Sequence, residues 1–572
     1  MNTIMLFAAS VCLNGTWNFA FHEDKTIEDV AQVDFAATDA MVVPGCWDVM
    51  PRWYMKHGTG LYRRTFMLDA PMKDAVLVVD GMGIRGSFKL DDRDLGLHPY
   101  PYARLELPVG PLAAGEHTLF AAVDNVMEWP RVKLARPYYD FYFYGGFYHG
   151  VKLVEREPKV FVRTLDWKTR KVEVEVEKLG GWDDAKLKDC AVSIDGKTID
   201  AAFTDNKAVF ALPDATLWSP ASPVLHTLDL TFKHQTSNIK LSTFFGLRQV
   251  EAKNRKILLN GEEVFLKGFN RHESFQLSGA ATDEALMVQD LQRLKAVGGN
   301  FIRGAHYQQC ERFLELCDRM GVLVWEESLG WGNGQGYTSG GKNAKFPPNE
   351  LTDPEWCEMQ VKQTRDMVRA SFNHPSVIIS AFLNEPACNT RPCKEIIDRL
   401  IATIKAERTG RLVTFACSIP DSDICNENTD IVAFNVYPCG IPPNPGTPKE
   451  LKEKTEKCFN EKIRNFRKKY PEKPIMVSET GTGGMYGVHD PNGSPNTEEH
   501  QDEYLRDVLE TLWANPDCVG LAIWQMNDGR TRERYCTKSV SAMFGGSIAG
   551  CFDQMRRPKK SIDTVREFFS RR

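Results

Sequence analysis

Apolar and polar positions along the chain change rhythm twice. Up to about Glu157, short runs alternate with period two, as in "YRRTFML", "AVLVVDG" and "HTLFAAVD", with Gly, Pro and Asp between them. Such alternation puts every second side chain on one face of a strand, and helical periodicity is almost absent. Residues 1–157 are therefore expected to form an antiparallel β-sandwich. Residues 158–247 hold a second, shorter series, "VEVEVEKL", "CAVSIDG" and "LHTLDLTF". About ninety residues of short strands fit an immunoglobulin-like sandwich. From 248 to 572 the pattern becomes strand then helix. The strands expected are "VFLKGFN", "NFIRGAH", "VLVWEES", "VIISAFLNEP", "LVTFAC", "IVAFNVYP", "PIMVSET" and "VGLAIWQMND". In the segment after the first of these, Met287, Leu291 and Leu294 recur on one helical face. Eight strands with intervening helices over roughly 320 residues match a (β/α)8 barrel. An open doubly wound sheet is the competitor, disfavoured because no Gly-rich phosphate loop follows the first strand.

Length and composition narrow the partners more than the fold. A chain of 572 residues is too long for one core, which agrees with several domains. A net charge of −5 without long basic runs gives no reason to expect a nucleic-acid partner or an anionic membrane surface. No stretch approaches the roughly 18 continuous apolar residues of a membrane span. The 15 cysteines are scattered singly from Cys12 to Cys551 with no CxxC pair, which reads as reduced thiols and a cytoplasmic location. The apolar start "MNTIMLFAAS" has no Lys or Arg before it and is expected to begin the first strand. If it were instead a signal, the protein would be periplasmic or secreted.

In such a barrel the chemistry gathers at the C-terminal ends of the strands. Those ends hold Asn270-Arg271-His272-Glu273, Arg303 with His306, Glu326-Glu327, Asn384-Glu385, Asn435 with Tyr437, Glu479, and Trp524 with Asp528. Burying so many charges costs several kcal/mol for each left unpaired, so they must pair with one another or with a ligand. Either Glu385 or Glu479 alone could be a surface residue or a structural ion pair. Together, at the ends of the fourth and seventh strands, they form the arrangement glycoside hydrolysis needs. One carboxyl donates a proton to the leaving oxygen and the other attacks, with retention if the two lie about 5 Å apart.

The stretch "FNHPSVIISAFLNEP" resembles the acid/base signature of glycoside hydrolase family 2, the β-galactosidase and β-glucuronidase family. The resemblance runs the whole chain. "VPGCW" and "GTGLYRRTF" are similar to its N-terminal sugar-binding-like jelly roll, "LWSPASPVLHTLDL" to its middle domain, and "FLKGFNRHE", "NFIRGAHYQQ" and "PIMVSET" to its barrel. It implies Glu385 as general acid/base and Glu479 as nucleophile. Arg303 and Tyr437 can hydrogen-bond that nucleophile, and Asn384 suits the sugar 2-hydroxyl. His306 is expected to position the sugar or the nucleophile, or to be a satisfied neighbour. Trp524 offers an apolar face to the sugar ring, and Asp140, in "YYDFYFYGGFYHGV", resembles the acidic residue the sandwich extends to a sugar hydroxyl. No cofactor is expected. Some members use Mg²⁺ near the acid/base, but nothing here requires it, and Glu326, Glu327 and His306 have no recognisable ligand spacing.

Compact length and the ending "GCFDQMRRPKKS" resemble the β-glucuronidase-like branch. That branch carries an Asn-x-Lys element for the substrate carboxylate, and this chain has Ser547-Ile548-Ala549 there. Without that lysine the expected activity is a retaining exo-β-glycosidase on a neutral hexoside, of β-galactosidase type. A β-glucuronidase or other β-uronidase is the alternative, kept open by Arg530, Arg532 and Arg534 just beyond the eighth strand. Trp331 and Tyr337, in "LGWGNGQGYTSGG", are candidates to stack on the aglycone. A non-catalytic carbohydrate-binding protein on the same scaffold is the alternative of another class. The partner expected is a carbohydrate substrate, with a homo-oligomer possible.

Overall fold

The computed structural model describes residues 10–30, 35–127, 131–135, 139–179, 187, 190–234, 237–335, 350–438, 448–531 and 546–572. The apolar start before Ser10, Tyr337, Arg532 and Arg534 lie outside the described residues. No helix is long and apolar enough to cross a membrane among the described residues.

Two all-β units precede a closed eight-stranded parallel barrel. In the first, a four-stranded sheet (Ser10–Cys12, Val151–Glu155, Met72–Val79, Leu105–Leu112) faces a six-stranded one built around Gly15–Glu23, Gly58–Leu68 and Gly115–Asp124. The period-two pattern is the reason. Trp17, Phe19, Tyr62, Leu77, Val79, Leu119 and Val123 come from alternate positions and share one apolar cluster. The second unit packs Val160–Asp166, Lys171–Val176 and Lys207–Ala211 against a sheet of Lys197–Ile199, Ala191–Ile194, His226–His234 and Ser237–Phe245. Val172, Val174, Val192, Leu228 and Leu230 form its core.

The barrel runs β1 (Leu266–Arg271), α1 (Glu284–Ala296), β2 (Phe301–Gly304), α2 (Glu311–Met320), β3 (Leu323–Trp331), α3 (Pro354–Ala370), β4 (Val377–Asn384), α4 (Arg391–Ala406), β5 (Leu412–Cys417), β6 (Val432–Asn435), α5 (Pro448–Lys469), β7 (Ile475–Thr480), α6 (Glu498–Ala514), β8 (Cys518–Ile523) and α7 (Ser561–Phe569). All eight expected strands form it, and β8 closes on β1 in parallel register. Strands β3, β4, β5 and β7 are buried at every position because the interior covers one face and the helices the other. Helix α1 starts where the Asp283 carboxylate accepts from the Leu286 amide, 2.7 Å away. It buries Met287, Leu291 and Leu294, the stripe read from the sequence. Leu294→Ala leaves a void against Gly299 and is expected to cost about 2–5 kcal/mol, readable as a lowered urea midpoint at unchanged slope.

What positions the site is the seam between the first sandwich and the barrel mouth. Tyr139, Phe141, Phe143 and Tyr144 of the sandwich's 139–148 segment belong to the same apolar cluster as Phe269, Ile302 and Tyr307 of the barrel. Tyr102 stacks on Tyr307 with centroids 3.6 Å apart and planes 11° apart. His149 meets Glu273 at 2.9 Å, and Arg271 meets the same carboxylate at 3.2 Å. A buried charge sequence of this kind is favourable only while every partner is in place, so it fixes how the two units sit.

Candidate functional site

Strand β4 delivers two adjacent side chains to one place, which a regular strand cannot do because neighbours point to opposite faces. The backbone solves this by leaving β geometry. Its register against β5 shifts between Ala381 and Asn384, and Leu383 and Glu385 both take left-handed conformations, φ 49° and 50°. Each costs on the order of 1–2 kcal/mol for a residue with a Cβ. The gain is that Asn384 and Glu385 both face Asn435, whose Nδ2 donates to Asn384 Oδ1 at 2.9 Å and to Glu385 Oε1 at 3.0 Å. Ser478 Oγ donates to Asn435 Oδ1 at 2.7 Å and fixes that amide's orientation.

Glu479, near the end of β7, is held at both oxygens. Arg303 Nη1 donates to Oε1 at 2.5 Å and Tyr437 Oη to Oε2 at 2.8 Å. Arg303 is fully buried and shares its other donors among Glu327 (2.8 Å from Nη2), Asn384 Oδ1 (3.0 Å) and Asn270 Oδ1 (3.1 Å). The guanidinium fork thus ties β1, β2, β3, β4 and β7 into one rigid floor. His306 lies 3.3 Å from Glu327 through Nδ1 and 3.7 Å from Glu479 through Nε2. Burial, with the charge of Arg303 adding to it, takes His306 down to about 3, so its ring is neutral near pH 7.

The two carboxyls therefore sit in unlike surroundings. Glu385 has one amide donor, and burial, then the charges of Glu479 and Asp140, push it up to about 8. Glu479 has a guanidinium and a phenol. One group is arranged to hold a proton at neutral pH and the other to accept donors at both oxygens, so the two surroundings differ in kind. Asn435→Ala removes the contact that lowers Glu385 and is expected to move the alkaline limb of kcat/KM to higher pH. The same change should lower kcat/KM itself roughly 10-fold or more, the scale of one hydrogen bond to a charged group.

The other expected residues divide. Asp140 does reach the mouth from the sandwich. Its Oδ1 has no hydrogen-bond partner among the described residues, and burial followed by the charge of Glu479 raises it to about 7. Asn384 Nδ2 is likewise buried and unpaired among the described residues, which suits a hydroxyl acceptor. Trp524 is stacked on His306 at 5.4 Å and 10° and packs with Ala305, Ala549 and Tyr437, so one ring face is already occupied. Asp528 is engaged within the protein. It pairs with Lys559 at 2.8 Å and accepts from the Gly550 amide. Glu326 has Arg411 as its charged neighbour, on the opposite side of β3 from Glu327. Trp331 is 5% exposed and meets Tyr139 edge-on.

Arg530, the described member of the arginine trio, donates to the Asp48 carbonyl at 3.0 Å and lies over Tyr54, Tyr142 and Tyr144. It clamps the sandwich to the barrel. Ala549 stands beside Trp524, and Lys559 is committed behind it to Gly484 O, Ile548 O and Asp528. Asn270, Glu327 and Asn435 stand among the polar rim residues of the sequence without an expected role. Their signal is a polar side chain within a barrel strand, and their task depends on which strand lies opposite.

A (β/α)8 barrel whose mouth brings together a carboxyl lifted by burial and one held by a guanidinium and a phenol is the arrangement of a glycoside hydrolase. The family model for the glycosyl hydrolases family 2 TIM barrel domain matches residues 250–571, more than half of the chain, and the protein belongs to that family. Among curated relatives, a β-glucuronidase of Streptococcus agalactiae is 28% identical over 457 residues, covering 77% of this chain and 72% of its own. Among solved structures, a β-galacturonidase of Eisenbergiella tayi bound to galacturonate superposes with a TM-score of 0.83 at 25% identity, covering 100% of this chain and 99% of the other. A β-glucuronidase from an uncultured Clostridium reaches 0.85 at 22% identity with full coverage of both, a likeness of fold. The expectation of a β-galactosidase from the absent lysine finds no support in these relatives, which are uronidases. One missing cation removes a single reading contact; it does not define what replaces it.

Proposed function

We propose that the protein is a retaining exo-β-uronidase, releasing a terminal β-linked hexuronic acid by double displacement. The observation that carries the mechanism is the asymmetry of the two carboxyls, Glu385 raised to about 8 beside Asn435 and Glu479 clamped by Arg303 and Tyr437. In the first step Glu479 attacks the anomeric carbon while Glu385 gives its proton to the leaving oxygen, forming a covalent glycosyl ester. In the second step Glu385, now ionised, takes a proton from water that attacks the same carbon, and Glu479 leaves. Asn384 Nδ2 donates to the 2-hydroxyl, a contact that strengthens in the transition state, and neutral His306 keeps Trp524 in place. Asp140 accepts from a sugar hydroxyl. The choice of a uronate rests on the relatives, a β-glucuronidase and a galacturonate-bound β-galacturonidase.

A neutral β-galactoside is the second reading, favoured by Ala549 where the related branch has lysine. A panel of nitrophenyl β-glycosides separates the two. The expected result is turnover of glucuronide or galacturonide with kcat/KM at least about 10²-fold above galactoside, the scale of one desolvated ion pair. A galactoside preference with uronides inert overturns the proposal.

A further inference from the structure

Cysteines scattered singly in the sequence converge behind the acid/base peptide. Cys388, Cys393, Cys417 and Cys425 are all buried and free. Cys388 follows Glu385 by three residues, and Cys417 ends β5. Their Sγ atoms lie 3.0 Å apart. Together with a carboxylate oxygen of Asp423, these ligand atoms are all within 4.8 Å of one another. Cys425 Sγ sits 3.2 Å from the Cys388 carbonyl.

Asp423 is itself aimed into the cluster by three contacts. The Cys425 amide donates to Oδ1 at 2.9 Å, the Asn426 amide to Oδ2 at 3.4 Å, and Tyr470 Oη to Oδ2 at 3.0 Å. A carboxylate has about four acceptor positions, so lone pairs remain for a fourth partner. The nearby lysines turn elsewhere. Lys469 binds the Asp423 carbonyl, and Lys473 the carbonyls of Asn426, Glu427 and Thr429. Two close thiols and a carboxylate, buried together, are a soft and mixed donor set of the kind that selects zinc over magnesium or calcium.

We infer that Cys388, Cys417 and Asp423 form a binding site for a thiophilic divalent cation of the zinc class, with Cys425 beside it as the nearest further donor. Binding releases the two thiol protons to solvent, and each thiolate bonds the metal with no change of oxidation state. Metal–sulfur bonds of about 2.3 Å in a tetrahedral site set the sulfurs about 3.8 Å apart, so the pair opens by under about 1 Å. The site acts on position. The Glu385 amide donates to the Ala416 carbonyl at 2.8 Å, and the Ile424 amide to the Cys388 carbonyl at 2.9 Å. A metal there staples the peptide after β4, the end of β5 and the Asp423 loop to one another. The alternative chemistry of the same pair, a Cys388–Cys417 disulfide, needs an oxidant and gives the third donor no task.

Because the site is enclosed, the metal enters as the chain folds, and the test uses protein expressed with cobalt or zinc in the medium and purified under reducing conditions. The expected wild-type result is about one equivalent of bound metal per chain and, for cobalt, thiolate-to-cobalt charge-transfer absorption. Cys388→Ser and Cys417→Ser each lose both signals, while Cys551→Ser keeps them. Wild-type protein without stoichiometric metal overturns the inference, whether denatured chains then titrate with 15 free thiols or with two fewer, the second outcome marking the disulfide. The wild-type measurement decides alone should a variant fail to fold, and it is independent of which glycoside the enzyme cleaves.

Discussion

Glu479→Gln is expected to fold and to hydrolyse an aryl β-uronide roughly 10⁴-fold or more slowly than the parent, the scale of removing a residue that must form the covalent bond. Folding survives because the charge balance does. Arg303 keeps Glu327 at 2.8 Å as its opposite charge, and the glutamine carbonyl still accepts from Nη1. The neighbouring imidazole is neutral, so no cation is stranded when one carboxylate is removed. Thermal unfolding alongside steady-state kinetics checks both halves of the expectation. In the parent enzyme, a 2-deoxy-2-fluoro uronide bearing a good leaving group should label Glu479 in a peptide map. Normal turnover by the variant, or label elsewhere, sinks the assignment, whereas a parent that neither turns over nor takes label leaves the carbohydrate-binding reading.

Glu385→Ala is the second large effect, and its size should depend on the leaving group. A general acid contributes about 10²–10⁴-fold, most for a sugar or alkyl leaving group and least for nitrophenolate, which needs little protonation. Azide should restore turnover of the nitrophenyl substrate by replacing water in the second step, giving a glycosyl azide of retained configuration. The pH profile gives an independent readout. The first step needs Glu385 protonated, and burial with the charge of Glu479 raises it to about 8, so parental kcat/KM is expected to hold near neutrality and fall as pH rises through about 8. That limb should vanish in Glu385→Ala. Once Glu479 is esterified its charge is gone, the second-largest cause of the elevation disappears, and Glu385 falls toward the ordinary carboxylate range, ready to act as base.

Asn435 links these two predictions. It reaches Glu385 and Asn384 from β6 and is set by Ser478 from β7, so the residue before the nucleophile orients the donor to the acid. Coupling between the two carboxyls therefore runs through packed, hydrogen-bonded side chains as well as through space. Substitutions at Glu385 and Asn435 are expected to be non-additive for that reason.

Periodicity alone determined the architecture. Period-two runs become sheets because one face must be buried, and continuous apolar runs such as "VIIS" and "PIMV" become barrel strands because both faces are. The rim position of Glu385 and Glu479 follows from the same count, since a strand that ends inside a barrel ends at its mouth. Tertiary structure decided what those counts cannot contain. Adjacent Asn384 and Glu385 point the same way only because the backbone turns left-handed at Leu383 and at Glu385 itself. Asp528 and Arg530, equivalent in the sequence to the other polar rim residues, became packing partners because Lys559 and three tyrosines met them first. Cysteines 29 residues apart came to 3.0 Å because β4 and β5 are neighbours. Local pattern fixes which face is buried; which charge finds which partner depends on contacts far apart in the chain, and those exist only once the barrel closes.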